Sequence, residues 1–381
     1  MIRYVTAGES HGKMLVGILE NIPSGLGIDC EFVNAELKRR TLGYGRGGRM
    51  LIESDKAEFV TGVRAGLTLG SPLTAVIENK DFVNWRDVMG AQATETGERT
   101  LTAVRPGHAD LSGSVKYGFT DARNVLERAS ARETAMKVAL GAVCKLYLKR
   151  LGITVSSRTA MIGGVWAKPV DCDDDNSVAD ADPVRCLDKT ASEKMTERIE
   201  LAKKNGDTLG GVSEIIITGC KSGIGSYVSA ERKLDGALMR EIGAVQSVKC
   251  VEIGDGIAQS GEFGSSAHDG IYANSSGIYR KTNRAGGIEG GMTNGERIII
   301  RAYFKPIPTL MRGLDTVDIA TGKACRAAAE RSDVCIVPAG GVVCESAAAL
   351  ALCMSLSDML GGDTMDEVVA RYAAKRSVYG E

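Results

Sequence analysis

Short apolar runs recur along the chain at lengths that predict β-strands. The clearest of them read KAEFVTGVRAG, SPLTAVIE, GITVSS, GGVSEIIITG and ERIIIRAYFKP. Runs of this length that contain many β-branched residues are typical of strands. Several arrive in pairs and do not alternate strictly with helices, which favours an α+β fold with antiparallel sheets over a doubly wound parallel sheet.

Apolar residues at helical spacing predict three helices between and after these strands. The first helix follows Asn124 and carries its apolar face on Met136, Leu140, Val143 and Tyr147. Gly152 is placed to end that helix. The second runs from Gly341 to Met359 and is small and apolar all round, as expected of a buried helix. The third begins near Asp363, with Asp366 three residues on.

The bulk composition is that of a large globular protein. Of 381 residues, 44% are hydrophobic and 25% are charged, with a formal net charge of -1. No Pro-rich or Gly/Ser-rich linker divides the chain, so we predict a single domain over residues 1–381. The balanced charge argues against a general nucleic-acid or anionic-membrane surface and still permits a local basic pocket.

Localisation and cysteine chemistry are also indicated by the sequence. The start, MIRYVTAGES, has no apolar signal-peptide core, and no run of about 18 apolar residues is apparent. We expect a cytoplasmic protein with neither a membrane nor a nucleic-acid partner. The ten cysteines never form CxxC and mostly lie in apolar runs, which predicts buried reduced thiols and no metal site.

Two further segments invite a specific interpretation. The acidic stretch DCDDDNSVADADP, residues 171–183, is predicted to be a surface loop. GYGRGG, from Gly43 to Gly48, fits the letters of a dinucleotide-binding fingerprint. That motif needs a buried strand before it, however, and the polar, helical AELKRRTL stands there instead.

Arginines cluster in several separate segments. Arg39, Arg40, Arg46 and Arg49 fall within eleven residues on a glycine-rich stretch, and Arg105, Arg128, Arg132 and Arg331 lie in other polar turns. Guanidinium groups match phosphate and carboxylate oxygens with two parallel hydrogen bonds. Convergence of these segments predicts a cationic cavity for a small, multiply anionic substrate; a solvated basic loop is the alternative.

The chain contains only three histidines, and all lie in polar turns. His11 is in GESHG, His108 in RPGHAD and His268 in SSAHDG. Imidazole suits proton transfer near pH 7, although each ring could equally be a structural or surface histidine, as we expect for His268. The segment TNRAGGIEGG, residues 282–291, fits either a mobile loop or backbone lying against a planar ligand.

Taken in order, nine segments resemble the chorismate synthase family. They are AGESHG, RRTLGYGRGGRM, RPGHADLSGSVKYGF, RNVLERASARETA, GDTLGG, AVQSVKCVEIGDG, TNRAGGIEGGMTNGE, KPIPTL and ERSDVC. The resemblance implies a β-α-β sandwich, with two antiparallel sheets flanking a helical layer, assembled as a homotetramer. It also implies a lyase that converts 5-enolpyruvylshikimate 3-phosphate to chorismate by 1,4-anti-elimination of phosphate, the last common step of aromatic amino acid biosynthesis. Reduced FMN is then required without net redox change.

The same resemblance assigns roles to individual residues. His11 is expected to protonate the departing phosphate, His108 to protonate the reduced flavin, and Asp333 to help a flavin nitrogen lose its proton. The residues expected to bind substrate are Ser10, Arg40, Arg46, Arg49, Arg105, Ser130, Arg132 and Arg331. Family members often have His-Asp-Pro where this chain has Ser332-Asp333-Val334, which loosens the assignment of Asp333.

Cofactor contacts follow in the same way. The residues expected to bind FMN are Arg128, Ala129, Ser130, Gln246, Ser247, Gly290, Lys305, Pro306, Ile307, Pro308, Thr309 and Arg331. Some members have serine where Ala129 stands, so Ala129 offers backbone only. Arg40 and Arg46 are assigned to NADPH within the family, which conflicts with their substrate role. An NADPH-dependent flavin oxidoreductase using the same FMN site is the alternative function.

Overall fold

The computed structural model describes residues 1–46, 55–92, 99–170, 176–275, 277–327 and 332–375. Its strands are β1 (Arg3–Ala7), β2 (Met14–Glu20), β3 (Glu58–Thr61), β4 (Val63–Arg64), β5 (Leu67–Thr68), β6 (Leu73–Glu78), β7 (Thr154–Ile162), β8 (Val165–Trp166), β9 (Gly211–Thr218), β10 (Val248–Ile253), β11 (Ile271–Asn274), β12 (Gly277–Arg280), β13 (Ile288–Glu289), β14 (Met292–Thr293), β15 (Ile298–Phe304), β16 (Asp315–Val317) and β17 (Ala324–Arg326).

The helices are α1 (Cys30–Thr41), α2 (Arg86–Met89), α3 (Asp110–Tyr117), α4 (Arg123–Ala129), α5 (Thr134–Arg150), α6 (Asn176–Asp180), α7 (Lys189–Lys204), α8 (Leu234–Gly243), α9 (Gly256–Gln259), α10 (Gly264–Ala267), α11 (Val337–Leu360) and α12 (Met365–Ala373). Short 3₁₀ turns occupy Lys80–Asn84, Ala131–Glu133 and Ala230–Arg232.

Two antiparallel sheets form the outer layers. One has the order β1-β2-β6-β3 and the other β10-β15-β9-β7-β8. Alternate residues of β6 and β15 face the interior, so each sheet buries one apolar face, as period-two patterning requires. The predicted α+β class with antiparallel sheets is confirmed.

Helices α5 and α11 form the layer between the sheets. Helix α5 packs on β2 and β6, α11 packs on β7 and β9, and the two helices pack on each other. Their backbones approach closely at Gly141, where an added Cβ would lie 2.3 Å from Cβ of Ser346. Small residues permit this separation, which brings both sheets onto one core. The predicted β-α-β sandwich is therefore confirmed.

Helix α11 is buried on all sides. By length and composition it could cross a membrane, but 94% of its most apolar 18-residue window is buried inside the protein. Helices in the centre of a large core pass such a test because no face meets water. The expectation that the chain holds no apolar stretch of this length is thus wrong for α11, whereas its buried, all-round apolar character is confirmed.

A carboxylate lies in the middle of this apolar helix and is fully paired. Glu345, with a 0% exposed side chain, accepts hydrogen bonds from Arg39 at 2.8 and 2.9 Å and from Ser157 at 2.6 Å, and it also contacts Lys145 and Arg185. Burial alone raises the pKa of Glu345. The surrounding cations outweigh burial, so its pKa lies well below the ordinary value.

The acidic stretch at 171–183 contributes to this network. Residues 171–175 lie outside the described residues, but Asp180 accepts a hydrogen bond from Arg39 at 2.6 Å. Asp182 is only 5% exposed. The prediction of a surface loop is wrong in part: Asn176–Asp180 form α6, and Asp180 and Asp182 bond to Arg39, Arg185 and Ser192, whereas Ser177, Val178, Ala181 and Pro183 are exposed.

Element boundaries differ from the sequence patterns in two places. The first predicted helix is broken at Ser130 between α4 and α5. The last helix is capped by Thr364 and Glu367, which bond each other's backbone N–H reciprocally, and not by Asp363 and Asp366.

Cysteine burial follows the prediction only in part. Among the cysteines in the described ranges, Cys30 and Cys250 are exposed and Cys325 is half-buried. The buried free thiols are Cys144, Cys186, Cys220, Cys335, Cys344 and Cys353. The single-domain organisation stays a prediction.

Candidate active site

A cavity of about 400 Å³ opens beside the helical layer, where segments distant in sequence converge. The turn after β1, the C-terminal end of α4, the loop after β15 and the start of α11 all contribute walls. The predicted site residues that line it are Ser10, His11, Arg40, Arg46, Arg105, His108, Ala129, Ser130, Arg132, Gln246, Ser247, Lys305, Ile307, Pro308, Thr309 and Asp333. The volume is in the range of small-molecule sites, about 300–1,000 Å³.

Three other predicted site residues among those described do not line this cavity. Arg128 is exposed and donates to the backbone oxygens of Thr6 and Gly8. Gly290 lies in the turn between β13 and β14, and Pro306 is exposed beside the cavity wall. Arg49 and Arg331 lie outside the described residues. The roles assigned to these five stay predictions.

His268 and the glycine-rich segment 282–291 lie elsewhere. His268 is exposed at the end of α10. The neighbouring Asp269 carboxylate accepts a hydrogen bond from the Thr282 hydroxyl at 2.5 Å and from the backbone N–H of Arg284 and Ala285 at 2.9 Å each. The segment is thus held by Asp269, and neither it nor His268 borders the cavity.

His11 is held by a buried carboxylate that sequence reasoning missed. It lies in the turn between β1 and β2, and its Nδ1 is 2.9 Å from Oε1 of Glu127. The backbone N–H of His11 donates to Oε2 of Glu127 at 2.8 Å, and that of Ser10 donates to the backbone oxygen of Glu127 at 2.9 Å. The turn is therefore fastened to α4 through side chain and backbone together.

An aromatic ring restrains the same histidine. The Trp85 ring stacks on His11 with centroids 3.9 Å apart and an interplanar angle of 21°. The guanidinium carbon of Arg99 lies 3.9 Å from the Trp85 centroid, and that of Arg123 lies 5.5 Å away. Stacking of this kind fixes the plane of an imidazole that hydrogen bonds alone would leave free to tilt.

His108 has a carboxylate partner of its own. Its Nδ1 lies 2.5 Å from Oδ1 of Asp110, and Arg105 donates to the same carboxylate at 2.8 and 3.0 Å. Arg105 also donates to the Thr309 hydroxyl at 3.0 Å. Burial by itself raises the pKa of Asp110, but hydrogen bonds from His108 and Arg105 lower it well below the ordinary value.

The arginines of the cavity are paired with carboxylates. Arg132 makes two hydrogen bonds to Asp55, at 2.6 and 2.8 Å, and Arg40 lies 3.9 Å from the same carboxylate. Arg46 and Asp333 form an ion pair at 2.9 Å. The structure brings Arg40, Arg46, Arg105 and Arg132 together, but their charge is balanced by carboxylates to a degree that the arginine pattern does not indicate.

Lys305 adds a further cation at the edge of the cavity. Burial and the nearby Lys249 lower the pKa of Lys305, and its ammonium group donates to the backbone oxygen of Gly107. Beside it, Ser247 adopts a left-handed backbone with φ of 70°. The backbone oxygen of Ser247 accepts a hydrogen bond from the backbone N–H of Lys305 at 2.9 Å. This segment presents donors that suit a phosphate.

Sequence reasoning missed Glu127, Asp110, Asp55 and Trp85. Only Asp110 carried a signal, since it stands two residues after His108 in RPGHAD. Glu127 is 116 positions away from His11, and no local pattern links residues so far apart. Packing of α4 against the β1–β2 turn creates that pairing.

Comparisons with known proteins agree on one family. A family model described as chorismate synthase matches residues 2–356. "Chorismate synthase 2" of Bacillus cereus is 49% identical over 374 residues, covering 96% of each chain. "Chorismate synthase" of Alkaliphilus metalliredigens is 47% identical over 380 residues, covering 99% of this chain and 100% of the other. A solved structure described as "Crystal Structure of Chorismate Synthase" superposes with a TM-score of 0.76 at 36% identity, over 98% and 96% of the two chains.

Proposed function

We infer the chemistry of the cavity from one starting point: the chain belongs to the chorismate synthase family. Its function is that of a chorismate synthase, an enzyme with a small-molecule substrate and a reduced flavin cofactor. The specific reaction that we propose is the lyase reaction, 1,4-anti-elimination of phosphate from 5-enolpyruvylshikimate 3-phosphate. A flavin oxidoreductase function is not favoured.

One observation supports this reaction more than any other. His11 and His108 line the same cavity, and each has its Nδ1 on a carboxylate, Glu127 and Asp110 respectively. A carboxylate on one ring nitrogen leaves the other as the atom for proton transfer. Elimination of phosphate requires a proton for the departing group, and such an imidazole is suited to supply it.

The substrate's anionic groups have a matching set of donors. We propose that Arg40, Arg46 and Arg105 bind the phosphate and carboxylates, with Ser10 and Ser130 as hydroxyl donors. Existing protein partners orient these guanidinium groups, so little side-chain freedom is lost when a ligand binds. Arg132 makes two hydrogen bonds to Asp55 and a third to Asn79, and we assign it to the cavity wall next to the substrate.

The cavity also fits a flavin mononucleotide. We propose that Lys305, Ser247 and the backbone of 306–309 hold the phosphate-bearing end. Small residues, Ala129 and Gly340, allow a planar ring to approach the wall. Bound reduced FMN would supply electron density that promotes departure of the phosphate. NADPH is an electron source in this proposal, with Arg40 and Arg46 as its alternative contacts.

The remaining steps use the chain's own side chains. His11 delivers a proton from Nε2 to the departing phosphate, and His108, oriented by Asp110, would supply a proton to the ring of a bound reduced flavin. Asp333, which pairs with Arg46 at 2.9 Å, would act as a base toward a nitrogen of the bound flavin. We further propose a single-domain, cytoplasmic homotetramer whose flavin is reduced by an external source.

Phosphate release tests this function directly. Anaerobic protein with chemically pre-reduced FMN and 5-enolpyruvylshikimate 3-phosphate, without NADPH, should release phosphate stoichiometrically with chorismate over many turnovers. The matched control omits only the reductant and should release none. Turnover that stays strictly dependent on NADPH oxidation would favour the oxidoreductase, and tight FMN binding without any phosphate release would refute the lyase reaction.

A further inference from the structure

Glu127 lies beside His11, and the proposed function uses it only as the carboxylate that contacts Nδ1. Its side chain is 1% exposed, and Oε1 and Oε2 lie 2.9 and 3.0 Å from Nδ1 of His11. We propose that Glu127 is a positioning residue that keeps a proton on Nδ1 and so reserves Nε2 for proton exchange with the ligand. This inference rests on the acid role proposed for His11.

The orientation of the carboxylate is set by a group that can only donate. The backbone N–H of His11 donates to Oε2 of Glu127 at 2.8 Å. Arg123, one turn earlier on α4, lies 3.6 Å from Oε1 and is also purely a donor. An ionised carboxylate accepts only, so the hydrogen bond at Nδ1 requires the imidazole proton to be on that nitrogen.

In this arrangement the imidazole ring exchanges protons through Nε2. Doubly protonated His11 carries one proton on Nδ1, donated to Glu127, and the other on Nε2. After the Nε2 proton leaves, the neutral ring still donates from Nδ1 in an unchanged hydrogen bond. No ring flip or change of tautomer is needed, and the stack with Trp85 at 3.9 Å keeps the plane constant. Glu127 thus acts through His11, without contact with the substrate.

Replacing the carboxylate by an amide weakens this preference. In Glu127→Gln the backbone N–H of His11 requires the amide oxygen at the Oε2 position. The amide NH₂ then lies at the Oε1 position, 2.9 Å from Nδ1 in the present geometry. An NH₂ group there favours a bare Nδ1, but the amide oxygen at the Oε2 position stays 3.0 Å from Nδ1 and can still accept its proton. The variant keeps size and hydrogen bonding but no longer fixes the proton on Nδ1.

The tautomer can be read by NMR because the chain has only three histidines. Magic-angle-spinning spectra of full-length protein labelled with ring-¹³C,¹⁵N histidine distinguish protonated from bare nitrogens. The Cγ–Nδ1 correlation then identifies which of the two ring nitrogens is Nδ1. His108→Ala and His268→Ala samples assign the signals. Above the pH at which His11 loses its second proton, we expect the proton on Nδ1 in the wild type and a measurable share of it on Nε2 in Glu127→Gln. A wild-type ring with bare Nδ1 overturns the proposal without any need for a variant.

Kinetics provide the second readout. Glu127→Gln should lower kcat by at least about tenfold while KM for the substrate changes less than about twofold, because the acid and not binding is affected. The matched control is Glu241→Gln, which changes a buried carboxylate on α8 that accepts from the Tyr4 hydroxyl at 2.6 Å and does not line the cavity. It should leave both kcat and the His11 signals unchanged. Wild-type kcat in Glu127→Gln overturns the positioning role.

The two proposals fail separately. A protein that releases no phosphate under any flavin condition refutes the proposed function, and the tautomer of His11 in the wild type still decides the role of Glu127. A protein that is active with bare Nδ1 in His11 refutes only the role of Glu127.

Discussion

Arg39 and Arg40 are neighbours on α1 but reach different environments. Arg39 forms two hydrogen bonds with the buried Glu345, whereas Arg40 donates to Thr134 at 2.9 Å and lines the cavity. The same helical turn therefore joins the ion network of the helical layer to the candidate active site. Substitutions in the network are expected to disturb both stability and the placement of Arg40.

Glu345→Gln should be strongly destabilising. Removing this carboxylate leaves buried cations without compensation, which typically costs about 3–5 kcal/mol. Urea denaturation at a fixed protein concentration measures the loss. The control Glu193→Gln, on an exposed position of α7, should change stability by less than about 0.5 kcal/mol. A comparable loss in both variants would contradict this prediction.

The destabilisation should also depend on pH. The folded pKa of Glu345 lies well below its ordinary value, so the ionised form stabilises the fold fully at any pH above the ordinary range near 4.3. As the pH falls below that range, the unfolded chain takes up the proton first and the stabilisation decreases. The difference between wild type and Glu345→Gln should be constant from about pH 8 to 5 and smaller at pH 4 and below.

His11→Ala should lower turnover by about 10²-fold or more, the scale of a lost general acid. FMN affinity should stay nearly unchanged, since the proposed flavin contacts lie on other segments. Phosphate release under anaerobic conditions and fluorescence titration of FMN provide the two measurements. His268→Ala is the control and should behave as wild type. Turnover of His11→Ala above a tenth of the wild-type value would rule out the acid role.

His108→Ala and Asp110→Asn should both alter the bound flavin. His108 is expected to act at the reduced ring, and Asp110 holds its Nδ1 at 2.5 Å. Each variant should therefore change the absorption spectrum of reduced FMN in the ternary complex as well as the rate. Asp366→Asn, with a 96% exposed side chain, is the control for Asp110. An unchanged spectrum with a lowered rate would contradict the proposal that His108 acts at the flavin ring.

Two glycine-to-alanine substitutions on helices should have opposite effects. In Gly141→Ala the new Cβ would lie 2.3 Å from Cβ of Ser346, so α5 and α11 must separate, at a cost of about 1–3 kcal/mol. In Gly236→Ala on α8 the nearest atom outside its helix lies 3.9 Å away, and stability should rise by about 0.4–1 kcal/mol. Thermal unfolding of both variants compares them. Equal shifts of Tm would mean that the contact between α5 and α11 tolerates expansion.

The layered fold could be predicted from sequence because its signals are local. Val, Ile and Thr runs matched β3, β6, β7, β9 and β15, and the apolar stretch at Gly341–Met359 matched most of α11. Strands β1 and β2 were not identified, since the apolar residues of RYVTA and MLVGILE are interrupted by the polar turn that carries His11. The capping residue of the last helix was predicted wrongly, because the hydroxyl of Thr364 caps the helix although acidic residues stand beside it in the sequence.

The candidate site was predictable only as far as residue types allow. Arginine and histidine in glycine-flanked turns indicated an anion-binding, proton-transferring pocket, and most of these residues line one cavity. Their partners were not predictable, because Glu127, Asp55 and Glu345 acquire their significance through contacts across more than 70 positions. A carboxylate in an apolar helix looks unfavourable until the cations that surround it are known.

The buried helix α11 also has a consequence for biosynthesis. A 24-residue segment apolar enough to enter a lipid bilayer is a hazard while it emerges from a ribosome. Its main packing partners, α1, α5, β7, β9 and α8, all precede it in the chain. N-terminal parts are translated first, so these partners have already left the exit tunnel when α11 appears. Because of this order of synthesis, the apolar helix α11 can pack on protein partners before it contacts a membrane or another nascent chain.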